Sequence, residues 1–306
     1  GVNFDLSHAG KGKSHGWFFF TCYNSEQANT LLEVNASQND KDFIMAVNWK
    51  KAEEYIKAGK GKIEKTKYAH NTWNDETHTG TSVIKDEVLV LDAMAMKDIC
   101  YLMPCPKSPH GCDVDPTGEY IVGSGKLAAL IPVFSFDKMV KAIGKKDYEG
   151  DYEGIPVLKY NSVLHGEVQK PGLGPLHTEF DGKGNAYTTF FVSSEVVKWD
   201  IKTLKVLDRV PTYYSVGHLM IPGGDSKKPF GKYLVAYNKI TKDRYLPTGP
   251  ELTQSAQLYD ISGDKMKLLL DFPTIGEPHY AQAAPADLIR NNGQLKIYDI
   301  KKNNHP

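Results

Sequence analysis

Residues 110–122 (HGCDVDPTGEYIV) and 177–191 (HTEFDGKGNAYTTFF) decide the fold, because they run in the same pattern. Each opens on a histidine, His110 or His177. Each reaches an Asp-x-x-Gly turn four or five residues on, at Asp115–Gly118 or Asp181–Gly184, and continues through Tyr120 or Tyr187 into a β-rich run. Residues 217–237 (GHLMIPGGDSKKPFGKYLVAY) are a stretched version, from His218 through a turn to Gly231-Lys232-Tyr233 and a strand. Residues 277–285 (EPHYAQAAP) place His279 at a comparable point. A second register runs beside the first. Aromatic-Asp pairs close four runs, at Phe136-Asp137, Trp199-Asp200, Tyr259-Asp260 and Tyr298-Asp299, with Leu91-Asp92 as a looser fifth. These aspartates lie 45, 63, 60 and 39 residues apart, a period that suits four-stranded propeller blades with variable loops. In such a blade the ring packs between neighbours and the carboxylate accepts turn N–H groups.

The rest of the chain agrees with an all-β propeller. Short β-type runs fall at 17–23, 83–91, 120–122, 131–136, 186–192, 196–199, 233–237, 257–259, 267–272 and 295–298. Helical patterns are few: 48–58 (NWKKAEEYIKA) and a short turn at 136–143. Residues 59–81 are polar and read as a loop. The 306 residues carry 37 basic and 37 acidic side chains, a zero formal balance without the basic excess of a nucleic-acid groove or of a binder of anionic membranes. No apolar run is long enough to span a bilayer. Cys22, Cys100, Cys105 and Cys112 have no standard zinc spacing and read as free, partly buried thiols.

Equivalent positions of successive blades lie in a ring about the propeller axis. His110, His177, His218 and His279 are therefore expected to converge at one mouth of the central channel. Any one of them alone has an ordinary role as a turn residue bonding backbone. Four in register, with no carboxylate or thiol in the same slots, favour a borderline or soft metal such as copper over magnesium or calcium. The other six histidines, His8, His15, His70, His78, His165 and His305, lie in polar segments and read as surface residues. Lys239 and Glu277 read as surface charges, or, beside a metal, as candidates for orienting a ligand or delivering a proton. Tyr23, Glu26 and Asp40 offer oxygen atoms of the kind that bind calcium.

The chain resembles the nitrous oxide reductases. The residues that carry the likeness are KSPHGCDVDPTGEYIV (107–122), KPGLGPLHTEFDGKGNAYTTFFVSSEVVKWDI (170–201), YNKITKDRYLPTGPE (237–251), LYDISGDKMKLLLDFPT (258–274) and GEPHYA (276–281), with TCYNSE (21–26) as a further counterpart. The likeness runs through the chain in continuous order. It implies a seven-bladed propeller, of which residues 1–306 are a partial domain with about five blades. The first blades and the family's C-terminal cupredoxin domain would lie outside it.

The resemblance also implies chemistry. The family reduces N2O to N2 and water, the last step of denitrification, at CuZ, a sulfide-bridged four-copper cluster held by seven histidines. Electrons enter through CuA in the cupredoxin domain, from a cytochrome c or cupredoxin-type donor. Four CuZ ligands fall on His110, His177, His218 and His279. Lys239 and Glu277 fall at the open edge of the cluster. A calcium site falls on the side chains of Tyr23, Glu26 and Asp40 and the carbonyls of Val34 and Ser108. A second uses the carbonyl of Lys239 and a family glutamate that here reads Gln254. The family is periplasmic, without a membrane span, and forms head-to-tail homodimers. Around His218 the sequence SVGHLMIPGG (215–224) departs from the family's P-G-H followed by polar residues. Two other expectations need no N2O chemistry: a non-catalytic propeller that binds a partner, and a His-lined propeller that uses zinc as a lyase or hydrolase.

Overall fold

The computed structural model describes residues 3–23, 42–70, 82–106, 108–213, 215–239, 254–274 and 278–285. The chain begins with strands β1 (Asn3–Ala9), β2 (Trp17–Tyr23) and β3 (Phe43–Asn48), followed by helix α1 (Trp49–Lys57). A long hairpin, β4 (Lys62–His70) and β5 (Ser82–Val90), leads to β6 (Cys100–Pro104). Then come β7 (Pro109–Val114), β8 (Tyr120–Gly125), β9 (Leu130–Ser135), α2 (Phe136–Lys145), β10 (Tyr148–Tyr152), β11 (Ile155–Leu158), α3 (Tyr160–Val163) and β12 (Leu164–Gln169). The last two sheets are β13 (Pro175–Phe180), β14 (Asn185–Phe190), β15 (Glu195–Asp200) and β16 (Val206–Pro211), then β17 (Val216–Met220), β18 (Tyr233–Asn238), β19 (Ser255–Asp260) and β20 (Lys267–Pro273).

These strands make the blades of a β-propeller. The sheet orders are β1-β2-β3-β6 extended by β11 and β10, then β7-β8-β9-β12, β13-β14-β15-β16 and β17-β18-β19-β20. Four such sheets lie among the described residues. Neighbouring blades share their cores. Trp199 and Phe190 of the third pack with Val122, Ile131 and Val133 of the second. Tyr259 and Leu234 of the fourth pack with Tyr187 and Val196 of the third. Phe134 and Ile121 of the second meet Phe19, Ile44 and Met103 of the first.

The aromatic-Asp pairs behave as blade ends at two of their described places. Trp199 and Tyr259 are buried between blades, while Asp200 Oδ1 accepts the N–H groups of Lys202 and Thr203 and Asp260 Oδ1 accepts that of Ser262. Phe136-Asp137 instead opens α2, because Ser135 caps that helix through its side chain on the Lys138 N–H. Tyr298-Asp299 lies outside the described residues. The polar run 59–81 is corrected: Lys62–His70 is a strand, paired over its whole length with Ser82–Val90. It has no apolar alternation because Lys62, Ile63, Glu64 and Lys65 are all exposed, so a strand held by its hairpin partner leaves no burial pattern to read.

Candidate metal centre in the central channel

The strands β1, β7, β13 and β17 are the innermost of their sheets, and β7 and β13 pack side by side, as do β1 with β7 and β13 with β17. Glycine permits the closest approach. A Cβ on Gly111 would run into the carbonyl oxygen of Leu176, so β7 and β13 meet backbone to backbone only with glycine there.

The strands β7, β13 and β17 are each entered and bent in the same way. A residue in the left-handed region stands just before each: Ser108 (φ 56°), Gly174 (φ 73°) and Ser215 (φ 50°). The register with the next strand then shifts, between Pro109 and Gly111, between Pro175 and Thr178, and between Val216 and Leu219. These irregularities enclose His110, His177 and His218. A bulge re-aims a side chain and breaks strict alternation, and the rings are thereby turned toward one another.

The four predicted histidines do come together. Ring centroids lie 4.9 Å apart for His110 and His177, 3.6 Å for His177 and His218, which stack at 17°, and 4.8 Å for His218 and His279. Tyr280 meets His218 edge-on at 5.2 Å. His177 and His218 are buried, His110 is half-buried and His279 is exposed. Burial, then the neighbouring rings of His218 and His110 and the charge of Lys239, hold His177 well below the ordinary imidazole range. It is neutral, as a metal ligand must be. Lys239 leaves β18 with its stem across Gly217, where a Cβ would lie 2.5 Å from Lys239 Cδ. Glu277, the other edge residue, lies outside the described residues.

The donor set can be tested for fit. Among the described residues, His177 Nε2 is buried without a hydrogen-bond partner. An orphaned imidazole nitrogen in a row of imidazoles is the arrangement a copper ion would satisfy. Among the same residues no group of three or more His, Cys, Asp or Glu side chains converges on a single ion position. The chemistry of the donors fits copper.

The proposed calcium donors are less defined. Glu26, Val34, Asp40 and the side chain of Tyr23 lie outside the described residues. Ser108 is buried; its N–H donates to Asp42 Oδ2 at 2.6 Å and its carbonyl accepts from the Lys126 N–H at 2.8 Å. The Lys239 N–H reaches the Ser215 carbonyl at 3.4 Å, and the Gln254 carbonyl accepts from the Thr274 N–H at 2.8 Å. All four cysteines are free and buried, as the sequence suggests. No helix among the described residues is long and apolar enough to cross a membrane.

Sequence reasoning missed the carboxyl end of the channel. One cavity of about 420 Å³ is lined by His177, His218 and His279 together with His8, Asp113, Glu179 and Asp225; Glu179 stands two residues along β13 from His177, and Asp113 three along β7 from His110. His8 is corrected from a surface residue. It sits near the end of β1, 17% exposed, with its ring between Asp113 and Asp225. Lys11 is buried too and donates to the Asp225 carbonyl at 2.5 Å. A signal for two of these existed. Asp113 and Glu179 each stand two residues before the turn aspartate, Asp115 or Asp181, so they occupy equivalent blade positions.

The chain is similar to known proteins. Residues 209–279 match the model of the nitrous oxide reductase propeller repeat. The chain is 35% identical over 291 residues to the nitrous-oxide reductase of Stutzerimonas stutzeri, covering 91% of this chain and 40% of that protein. It is 33% identical over 314 residues to that of Pseudomonas fluorescens, covering 99% of this chain and 43% of the relative. The chain thus spans about two fifths of the length of the curated relatives it matches. Among solved structures, Kuenenia stuttgartiensis hydrazine synthase superposes with a TM-score of 0.46 at 11% identity, over 87% of this chain and 48% of that one.

Proposed function

We propose, for a chain that belongs with the nitrous-oxide reductases through its propeller sequence, that its histidine row holds part of a copper centre at which N2O is reduced to N2 and water. The observation that carries this reading is His177: neutral, buried, stacked on His218 and edge-on to His110, with its Nε2 unpartnered among the described residues. His110, His177, His218 and His279 would hold the metal through neutral imidazole nitrogens. Bound copper would supply the electron density that weakens the N–O bond of an otherwise inert molecule. The chain's own groups do the rest. The apolar blade cores behind His177 and His218 keep bulk water from the buried side of the row. Lys239 carries an ammonium group to the same place and would donate a hydrogen bond to the substrate oxygen. Glu277 is proposed to orient a ligand or adjust that oxygen's protonation.

The wider setting is proposed on the same resemblance. It comprises CuA and an external one-electron donor of the cytochrome c or cupredoxin type, a head-to-tail homodimer, a periplasmic location, and calcium on Tyr23, Glu26, Val34, Asp40 and Ser108, with a second site at Lys239 and Gln254.

One observation favours the alternative of a non-catalytic propeller: no three donors among the described residues converge on one ion. Elemental analysis separates the two. Several coppers and little zinc per chain, in protein purified from its native source, support the reductase. Copper near zero in folded protein overturns it in favour of the scaffold, and one zinc per chain favours hydrolytic chemistry.

A further inference from the structure

Asp113 and Asp225 share the channel cavity but stand in opposite surroundings. Asp225, in the loop between β17 and β18, accepts from His8 Nε2 at 3.2 Å and from Gln282 Nε2 at 3.1 Å, with the Tyr280 hydroxyl 3.4 Å away. The Lys11 ammonium lies on its backbone carbonyl. Against the upward push of burial, the His8 hydrogen bond, Gln282 and Lys11 hold the Asp225 carboxyl at about 2.

Asp113 has less. Its Oδ2 accepts the Thr178 N–H at 2.8 Å, and its Oδ1 faces His8 Nδ1 at 3.8 Å. That nitrogen already accepts the Val114 N–H at 3.0 Å, so it presents a lone pair and no hydrogen. His8 is then the Nε2–H tautomer, with its one hydrogen committed to Asp225. An ionised Asp113 would set a charged oxygen against that lone pair. A protonated Asp113 carries its own hydrogen there, facing His8 and the cavity. The groups around Asp113 are His8 and Lys11 from β1 and the turn after it, Thr178 and Glu179 from β13, and Asp225 from the β17–β18 loop. Burial, with the Asp225 charge nearby, pushes Asp113 up to about 7 against the pull of the Thr178 N–H and Lys11. Two carboxyls driven apart by their surroundings mark an acid and a spectator.

We propose that Asp113 is the acid of this cavity: it holds a proton in the space that the histidine row also lines and gives it to the oxygen of the small oxide bound there, while Asp225 stays ionised and His8 is fixed between them. The transfer step rests on the N2O reading above. Each transfer breaks the Asp113 O–H bond and forms one on the substrate oxygen. Two transfers, with two electrons from a one-electron donor of the copper-protein or c-type cytochrome class, break the N–O bond and leave N2 and water. Asp113 regains a proton from solvent after each.

Infrared difference spectroscopy across the neutral pH range reads the proton on the whole protein, with or without copper. A protonated-carboxyl C=O band is expected that fades with a midpoint near pH 7 and is missing in Asp113→Asn. Asp225→Asn removes a like charge and leaves Asp113 in place, so it moves that midpoint to lower pH by about one unit or more. It also keeps the proposal testable if Asp113→Asn does not fold. In copper-loaded protein, N2O turnover falls as pH rises through the same midpoint. The limb is lost in Asp113→Asn and restored in Asp113→Glu. No band fading near pH 7 in the unaltered protein, that fading still present in Asp113→Asn, or an unmoved midpoint in Asp225→Asn overturns the proton-holding role. An unchanged pH limb in Asp113→Asn overturns the transfer step. If the band behaves as expected and the copper-loaded protein does not reduce N2O, the N2O reading and the transfer step fall together while the proton-holding carboxyl stands.

Discussion

The two ends of the channel are built by different rules. At the histidine end, β7, β13 and β17 each deliver one ring from the same place in the blade, just after a left-handed residue and inside a bulge. The result is a row of like groups. At the carboxyl end the contributors differ in kind and origin: His8 from β1, Lys11 from the turn after it, Asp113 and Glu179 from β7 and β13, and Asp225 from a long loop of the fourth blade. Repetition makes a site for one kind of ligand. The non-equivalent end can hold opposite charges at close quarters and push neighbouring carboxyls apart in acidity. A cavity that must both bind a small molecule and protonate it needs one wall of each sort.

The largest test of this contrast is His177→Ala. It removes the central ring and should drop copper per chain and lower N2O turnover by more than about a hundredfold, measured by elemental analysis and gas assay. The carboxyl end should be untouched, so the infrared band assigned to Asp113 should persist. Loss of both together would show that the two ends are one cooperative unit.

Next in size is the pH dependence of stability at the carboxyl end. Asp113 has a folded value near 7, above its unfolded value of about 3.9. Its contribution is favourable below the unfolded value and is lost as pH rises through 7. The cost reaches at most about 4 kcal/mol on the alkaline side. Asp113→Asn should therefore raise the urea midpoint above pH 7 and change it little in acid. An equal change at both pH values would remove Asp113 from the set of perturbed groups.

Gly111→Ala tests the shared scaffold of the two ends. Its methyl group meets the Leu176 carbonyl, so unfolding free energy should fall by about 2–3 kcal/mol in urea titration. The smallest effect is a baseline far from the channel. Gly144 in α2 has open space around its Cβ position, and Gly144→Ala should stabilise by about 0.5–1 kcal/mol in the same assay. If both glycine variants behave alike, close approach of the inner strands does not limit stability.

What could be read in advance follows the same division. The strands at Trp17–Tyr23 and near 120, 186, 196, 233, 257 and 267 were legible because they are apolar runs between strong turn signals. Helix α1 was legible from its pattern and its Asn48 cap, whose side chain accepts the Lys51 N–H. The inner strands β7, β13 and β17 were visible only as the heads of repeats. Their apolar alternation is broken by the bulges and by the polar groups they turn into the channel. The hairpin strand β4 left no mark, since its exposed residues feel its partner and no core.

The sequence by itself determined the repeat, and with it the propeller and the four histidines, because a blade repeated along the chain fixes which residues become neighbours around an axis. Only the tertiary structure decided the carboxyl end. His8 and Asp225 are 217 residues apart with no shared motif, and their contact comes from the N-terminal strand meeting a loop of the fourth blade. Whether a buried carboxyl is an ion or an acid depends on which hydrogens face it and how much water is left. Both are properties of the packed channel, and no local stretch of chain contains them.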